Sequence, residues 1–233
     1  MTGIPATDLR IGGLARLSSS DWPGELVATV FCQGCGWRCR YCHNPHLQPA
    51  VSSDLIAWPA VMAFLRQRRG LLDGVVFSGG EPTLQSALAA AMQEVRGLGF
   101  RIGLHTGGAY PDRLAAVLPL VDWVGFDAKM PFSRYEAVTG VDGSGERARE
   151  SLLRLLASGK ACEVRTTVHP WLLDQPALEA LADELATLGV THYVVQAFRS
   201  IGCRDEELNR MPSATAPLLP AHLQMRFAEF LTR

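Results

Sequence analysis

The chain has 233 residues, 48% hydrophobic and 19% charged, with net charge −1 and a pI near 6.6. This composition suits a globular domain with a substantial core and lacks the basic stripe of a nucleic-acid binder. No apolar run reaches membrane-span length and residues 1–10 do not resemble a signal peptide, so a cytoplasmic protein with neither membrane nor nucleic acid as partner is expected.

Residues 26–31 form the first predicted strand. It runs into Phe31-Cys-Gln-Gly-Cys-Gly-Trp-Arg-Cys-Arg-Tyr-Cys-His-Asn-Pro45, in which Cys35, Cys39 and Cys42 are spaced C-x3-C-x2-C. Three thiolates on one loop can ligate three irons of a [4Fe–4S] cluster and leave the fourth iron open for a ligand. The alternative is a zinc site drawing on Cys32, Cys35, Cys39, Cys42 and His43, although zinc sites usually pair two separated knuckles. Cys32, at the end of the apolar strand, reads as a buried thiol. Cys162 and Cys203 read as structural.

The following elements alternate. Helices are predicted over 59–68, 86–98, 112–118, 145–157 and 176–188, with strands over 74–77, 101–104, 123–126, 163–168 and 193–197. Residues 212–220 read as a loop and 222–231 as a last helix. The alternation predicts a parallel sheet wrapped by helices, an α/β fold curled into a barrel or part-barrel. One domain over 1–233 is expected, with its core at about 26–199 and the C-terminal helix at about 220–231.

Polar residues cluster just after the predicted strands, where α/β barrels carry their sites. They are the cysteine loop with Tyr41, then Gly79-Gly80-Glu81-Pro82, His105-Thr106-Gly107-Gly108, Asp127-Ala128-Lys129, and Gln196 with Arg199. Arg165 lies inside an apolar strand and needs an anionic partner. Each has a plainer alternative: a Gly-Gly turn with a solvated Glu81, a surface pair of Asp127 and Lys129, an Arg165 ion pair, packing roles for Tyr41 and His105. Trp37 and Arg38 have no assignable role.

Together, the cysteine loop and Gly79-Gly80-Glu81-Pro82 resemble the radical S-adenosylmethionine (SAM) superfamily. That resemblance implies a partial (β/α)6 TIM-like barrel, a [4Fe–4S] cluster on Cys35, Cys39 and Cys42, and SAM chelated at the open iron and cleaved by one electron to a 5′-deoxyadenosyl radical. It also implies SAM contacts at Tyr41, Gly79, Gly80, Glu81, Thr106, Asp127, Lys129, Arg165 and Gln196. The Cys-His-Asn-Pro ending is similar to activases of glycyl-radical enzymes. With Phe-Asp-Ala-Lys, Arg-Thr-Thr-Val and Gln-Ala-Phe-Arg, it most resembles those of anaerobic ribonucleoside-triphosphate reductases. The implied reaction removes a glycine Cα hydrogen from that partner enzyme, with flavodoxin or ferredoxin as electron donor. A small-molecule radical SAM enzyme similar to 7-carboxy-7-deazaguanine synthase is the alternative within the superfamily. In such activases an Asp commonly precedes Thr106 and helps hold a monovalent cation. Here His105 stands there, a poor ligand for a hard cation, and Gly107 stands where Asn is usual.

Overall fold

The computed structural model describes residues 4–210 and 219–233. Eight strands form one sheet in sequence order: β1 (Ile11–Ser18), β2 (Val27–Cys32), β3 (Gly74–Gly79), β4 (Arg101–Thr106), β5 (Trp123–Asp127), β6 (Ala161–Val168), β7 (His192–Ala197) and β8 (Glu229–Thr232). β2 through β8 are parallel and β1 is antiparallel to β2. The helices are α1 (Trp58–Arg66), α2 (Leu88–Gly97), α3 (Pro111–Val117), α4 (Glu136–Thr139), α5 (Ser144–Ala157), α6 (Gln175–Thr187), α7 (Glu206–Arg210) and α8 (Ala221–Gln224). β2 to β7 correspond to the six expected strands. Their central residues are buried, as in parallel strands covered by helices.

The sheet curls. Val27 of β2, Val76 of β3 and Trp123 of β5 cluster with Trp22 on one face, although a flat sheet would hold β2 and β5 apart. Trp22 comes from the turn between β1 and β2. Its ring stacks on Trp123, with centroids 5.5 Å apart. A Cβ on Gly103 would lie 2.9 Å from the Trp22 ring, so this glycine makes room for the indole. The turn therefore plugs the N-terminal end of the part-barrel, and the opposite end carries the strand-end motifs.

Two elements differ from the sequence pattern. Residues 11–18, for which no element is expected, form strand β1. Residues 222–231 are not one helix: α8 ends at Gln224 and β8 follows. The reason is tertiary. β7 would otherwise be an unpaired edge, and β8 completes its ladder while Phe227 and Phe230 pack on Tyr193. The loop expected at 212–220 lies, as far as residue 218, outside the described residues.

Candidate active site

The cysteine loop leaves β2 and is held from several sides. Gly34 N–H donates to Leu47 O (2.7 Å), Cys35 N–H to Gln48 O (3.0 Å) and Arg38 N–H to Thr139 O (2.8 Å). The Gln33 side chain donates to His46 O and Pro49 O, and Gln85 Nε2 donates to Arg10 O and Gln33 O. Gln85 thus stitches the segment after Glu81 to the root of the loop.

Cys35, Cys39 and Cys42 share the wall of a cavity of about 530 Å³ that opens into the barrel. That volume suits a nucleoside-sized ligand. Burial pushes the Cys35 thiol up to about 12 and the Cys39 thiol up to about 11. Bare thiols are therefore protonated at neutral pH, and metal must displace those protons. The donor set fits a cluster with one open position. Cys32 is fully buried in the core, and His43 Nε2 is engaged with Arg199 O at 2.9 Å while its ring stacks on Phe198. The loop's remaining histidine, His46, is exposed and does not line the cavity. Among the described residues no three His, Cys, Asp or Glu side chains converge as a mononuclear metal site.

Glu81 is not solvated. It is 2% exposed, and its carboxylate accepts from Thr83 N, Thr83 Oγ1, Thr106 Oγ1 and Gly107 N. Burial pushes its pKa up, against those four donors. Glu81 and Thr106 line the cavity while bracing the ends of β3 and β4 against each other. Gly79 and Gly80 also line it, but the close approach they permit is to backbone. A Cβ on Gly79 would meet Cys32 N at 2.4 Å, and one on Gly80 would meet Gly34 O at 2.3 Å. The Gly at 107 has a tertiary cause: a Cβ there would lie 2.5 Å from the ring of Trp37, which covers it.

Asp127 Oδ1 accepts from Arg165 Nε at 3.0 Å, and Arg165 Nη2 forms an ion pair with the same oxygen at 3.0 Å. Arg165 thus finds the anion its burial requires. Burial raises the Asp127 pKa, but Arg165, Lys129 and His105 outweigh it and the net direction is down. Lys129 Nζ lies 3.9 Å from Asp127 Oδ2 and 5.7 Å from the centroid of buried Tyr41. Gln196 donates to Thr167 Oγ1 at 2.7 Å on the far wall, and Arg199 reaches the rim. One cavity therefore gathers Tyr41, Gly79, Gly80, Glu81, Thr106, Asp127, Lys129, Arg165 and Gln196 with the three cysteines.

Sequence reasoning missed the floor. Ser19, Ser20, Asp21 and Pro23 of the β1–β2 turn line the cavity, as does Arg233, which pairs with buried Glu163. The available signal was Ser-Ser-Ser-Asp-Trp-Pro-Gly between two alternating runs, the mark of a hairpin turn.

His105 is tied to that floor. Nε2 donates to Asp21 O (2.7 Å) and Nδ1 accepts from the Ser78 hydroxyl (3.2 Å). Arg165 Nη1 lies 3.2 Å from Nε2, and the carboxylates of Asp127 and Asp21 lie nearby. Desolvation, then Arg165, pull the imidazole down to about 4. It is neutral when folded and titrates near 6.5 when unfolded. Its contribution is therefore complete above 6.5 and is lost as pH falls from 6.5 towards 4. Denaturant unfolding of the metal-free protein should show roughly 2 kcal/mol less stability at pH 4.5 than at pH 7 from this group. His105→Gln should flatten that difference; an unchanged pH slope in the variant would show that His105 does not carry it.

The family model described as the Radical SAM superfamily matches residues 29–195. A Methanocaldococcus jannaschii protein, provisionally named a glycyl-radical enzyme activating enzyme, is 27% identical over 87% of this chain and 85% of its own length. The pyruvate formate-lyase-activating enzyme of Clostridium pasteurianum is 31% identical over 71% of each chain. Among solved structures, QueE from Escherichia coli shares the fold with TM-score 0.57 at 18% identity, covering 87% of this chain and 90% of its own. The chain spans about half the length of SuiB from Streptococcus suis, 48% of it against 89% of this chain, with TM-score 0.64 at 14% identity.

Proposed function

The chain belongs to the radical SAM superfamily, and on that footing we propose that it is an activase that makes a glycyl radical on a partner enzyme. The superfamily's cofactors are a [4Fe–4S] cluster and SAM, and the donor set of Cys35, Cys39 and Cys42 fits the cluster. The supporting observation is the extent of the likeness to the M. jannaschii protein. It covers 87% of this chain, so it runs through the barrel and not the cysteine motif alone.

When bound, the cluster and SAM supply a one-electron cleavage that ends in hydrogen-atom abstraction, here from a glycine Cα of the partner. The chain's own residues bind and orient. Lys129, partly neutralised by Asp127, offers a positive charge to a carboxylate. Tyr41 offers a buried aromatic face beside the thiols. Backbone at Gly79, Gly80 and Thr106 and the side chains of Glu81, Arg165 and Gln196 line the remainder. Anaerobic ribonucleoside-triphosphate reductase is the partner favoured by Phe-Asp-Ala-Lys and Gln-Ala-Phe-Arg, with flavodoxin or ferredoxin as electron source.

The test is anaerobic. The reconstituted protein, reduced and given SAM, should form 5′-deoxyadenosine and place a glycyl radical, seen by electron paramagnetic resonance, on an added anaerobic ribonucleotide reductase. SAM cleavage without a radical on any glycyl-radical enzyme would overturn the activase reading. The likeness to QueE and to a 7-carboxy-7-deazaguanine synthase, 30% identical over 46% of this chain, supports a second reading. Consumption of a small molecule with no partner protein present would favour that one.

A monovalent cation should be dispensable. His105 is committed to Ser78 and Asp21 O, and Asp127 is committed to Arg165. SAM cleavage rates are expected to be equal in sodium, potassium and tetramethylammonium buffers. A several-fold dependence on sodium or potassium would mean other oxygens hold the ion.

A further inference from the structure

The root of the cysteine loop carries a positive charge that the site described above does not use. Arg10 immediately precedes β1 and is partly buried. Its backbone is fixed to the loop. Arg10 N–H donates to Gln85 Oε1 (2.8 Å), and Arg10 O accepts from Gln85 Nε2 (2.8 Å) and from Gln33 N–H (2.9 Å). Its guanidinium lies against the same loop. Nη2 is 3.7 Å from the position a Cβ on Gly34 would take, beside Leu84 and Ala50, and Gly34 directly precedes Cys35. Nε is shielded from solvent and has no hydrogen-bond acceptor. Among the described residues no carboxylate forms an ion pair with Arg10. Glu81 is joined to this root, since its N–H donates to Gly34 O, but its carboxylate accepts from Thr83, Thr106 and Gly107 instead. The charge is felt at a nearby sulfur. Burial, then Glu81, push the Cys32 thiol up, and Arg10 pulls against both.

A partly buried guanidinium without an anion, and with one N–H orphaned, lowers stability. A neutral side chain of similar length would avoid that loss. The position makes sense once the loop holds thiolates. We infer that Arg10 sets the reduction potential of the [4Fe–4S] cluster, as a fixed positive charge that favours the reduced state. The inference rests on the radical SAM reading above. With three thiolate ligands, the reduced [4Fe–4S]1+ site carries one more negative charge than the oxidised [4Fe–4S]2+ site. A neighbouring cation stabilises the more negative state more, so it raises the potential, and net charge around a cluster is one of the levers that set this quantity. The step balances: the cluster gains one electron from a one-electron reductant, which is itself oxidised, with no bond made or broken and no proton moved. Arg10 touches neither substrate nor iron. It acts through the field at the loop, and Gln85 and Gln33 hold its backbone where that field is constant.

The test uses the full chain reconstituted with iron and sulfide, without SAM. Dithionite titration in the presence of redox mediators, followed by electron paramagnetic resonance of the reduced cluster, gives the potential of wild type, R10M, R10Q and R10K. The two neutral variants should shift the reduction equilibrium roughly three- to tenfold towards the oxidised cluster, a potential lower by about 28–59 mV for a one-electron couple. R10K keeps the charge and should stay within about twofold of wild type. Iron content should be equal in all four proteins. Metal-free R10M should melt at or above the wild-type temperature, because the unpaired guanidinium is gone. Wild-type potential in R10M and R10Q would overturn the inference. So would a fall in R10K equal to that in R10M, which would assign the effect to the shape of the guanidinium and not its charge. Loss of iron in both neutral variants, or their failure to fold, would also overturn it by making Arg10 a structural part of the loop's root. Wild-type protein that takes up no iron would refute the radical SAM reading itself, a separate failure.

Discussion

Alanine at Cys35, Cys39 or Cys42 is expected to abolish reconstituted iron–sulfur absorbance and lower SAM cleavage to background, whereas Cys32→Ala retains both. The four residues lie within eleven positions, yet the fold treats them differently. Cys35, Cys39 and Cys42 are partly open to the cavity that also holds Lys129, Asp127 and Glu81. Cys32 is the last residue of β2, in register with Gly79 of β3 and fully buried. Burial, and next the negative charge of Glu81, push its thiol well above the ordinary range. A thiol so held is a poor thiolate donor. Its loss should show as lower stability, about 1 kcal/mol for a small buried group, and not as lost iron. Iron content, absorbance and melting temperature measured on all four variants separate the outcomes. Loss of iron in Cys32→Ala equal to that in the other three would mean that the loop rearranges on metal uptake and that the ligand assignment is wrong.

How much of this was legible beforehand depended on how local the cause was. The cysteine spacing and the strand–helix alternation are local patterns, and β2 to β7 follow from them. Position 107 shows the limit. Gly there is readable as a departure from the usual Asn, but its cause, the ring of Trp37 lying over it, is a contact seventy positions away in sequence. Arg165 is similar. Its burial announced a partner, and the alternation alone did not select Asp127 from the chain's acids. The C-terminal segment failed differently. Residues 222–231 have acceptable helix propensity, but an unpaired β7 edge and the Tyr193 ring reward an extended chain more. The turn at Ser19–Pro23 joins the one antiparallel pair among the described strands, so the strand–helix alternation carries no signal for it.

The glycines of Ser-Gly-Gly-Glu-Pro carry the second large expectation. Their sequence meaning was close approach, and a ligand was the natural object. The structure names a nearer one. Gly79 has φ +116°, where L side chains are rare, and its missing Cβ faces Cys32 N and O at 2.4 and 2.5 Å. Gly80 N–H donates to Cys32 O (3.0 Å), and Glu81 N–H donates to Gly34 O (2.9 Å). The motif is thus a seat for the root of the cysteine loop, and Glu81 locks that seat to β4 through Thr106 and Gly107. Gly79→Ala must both strain the backbone, at about 1–3 kcal/mol, and push β2 away, so a total of roughly 4 kcal/mol or more is expected. For a chain of this size that is a melting-temperature loss on the order of 10 °C. The decisive feature is that the loss should already appear in the protein without iron or SAM, because the clash is protein against protein. If Gly79→Ala instead melted like wild type when metal-free and lost only SAM affinity, the glycine would serve the ligand directly. The cysteine loop would then owe its position to its hydrogen bonds, from Gln33, Gln85 and the backbone of Gly34, Cys35 and Arg38, and not to the missing Cβ of Gly79.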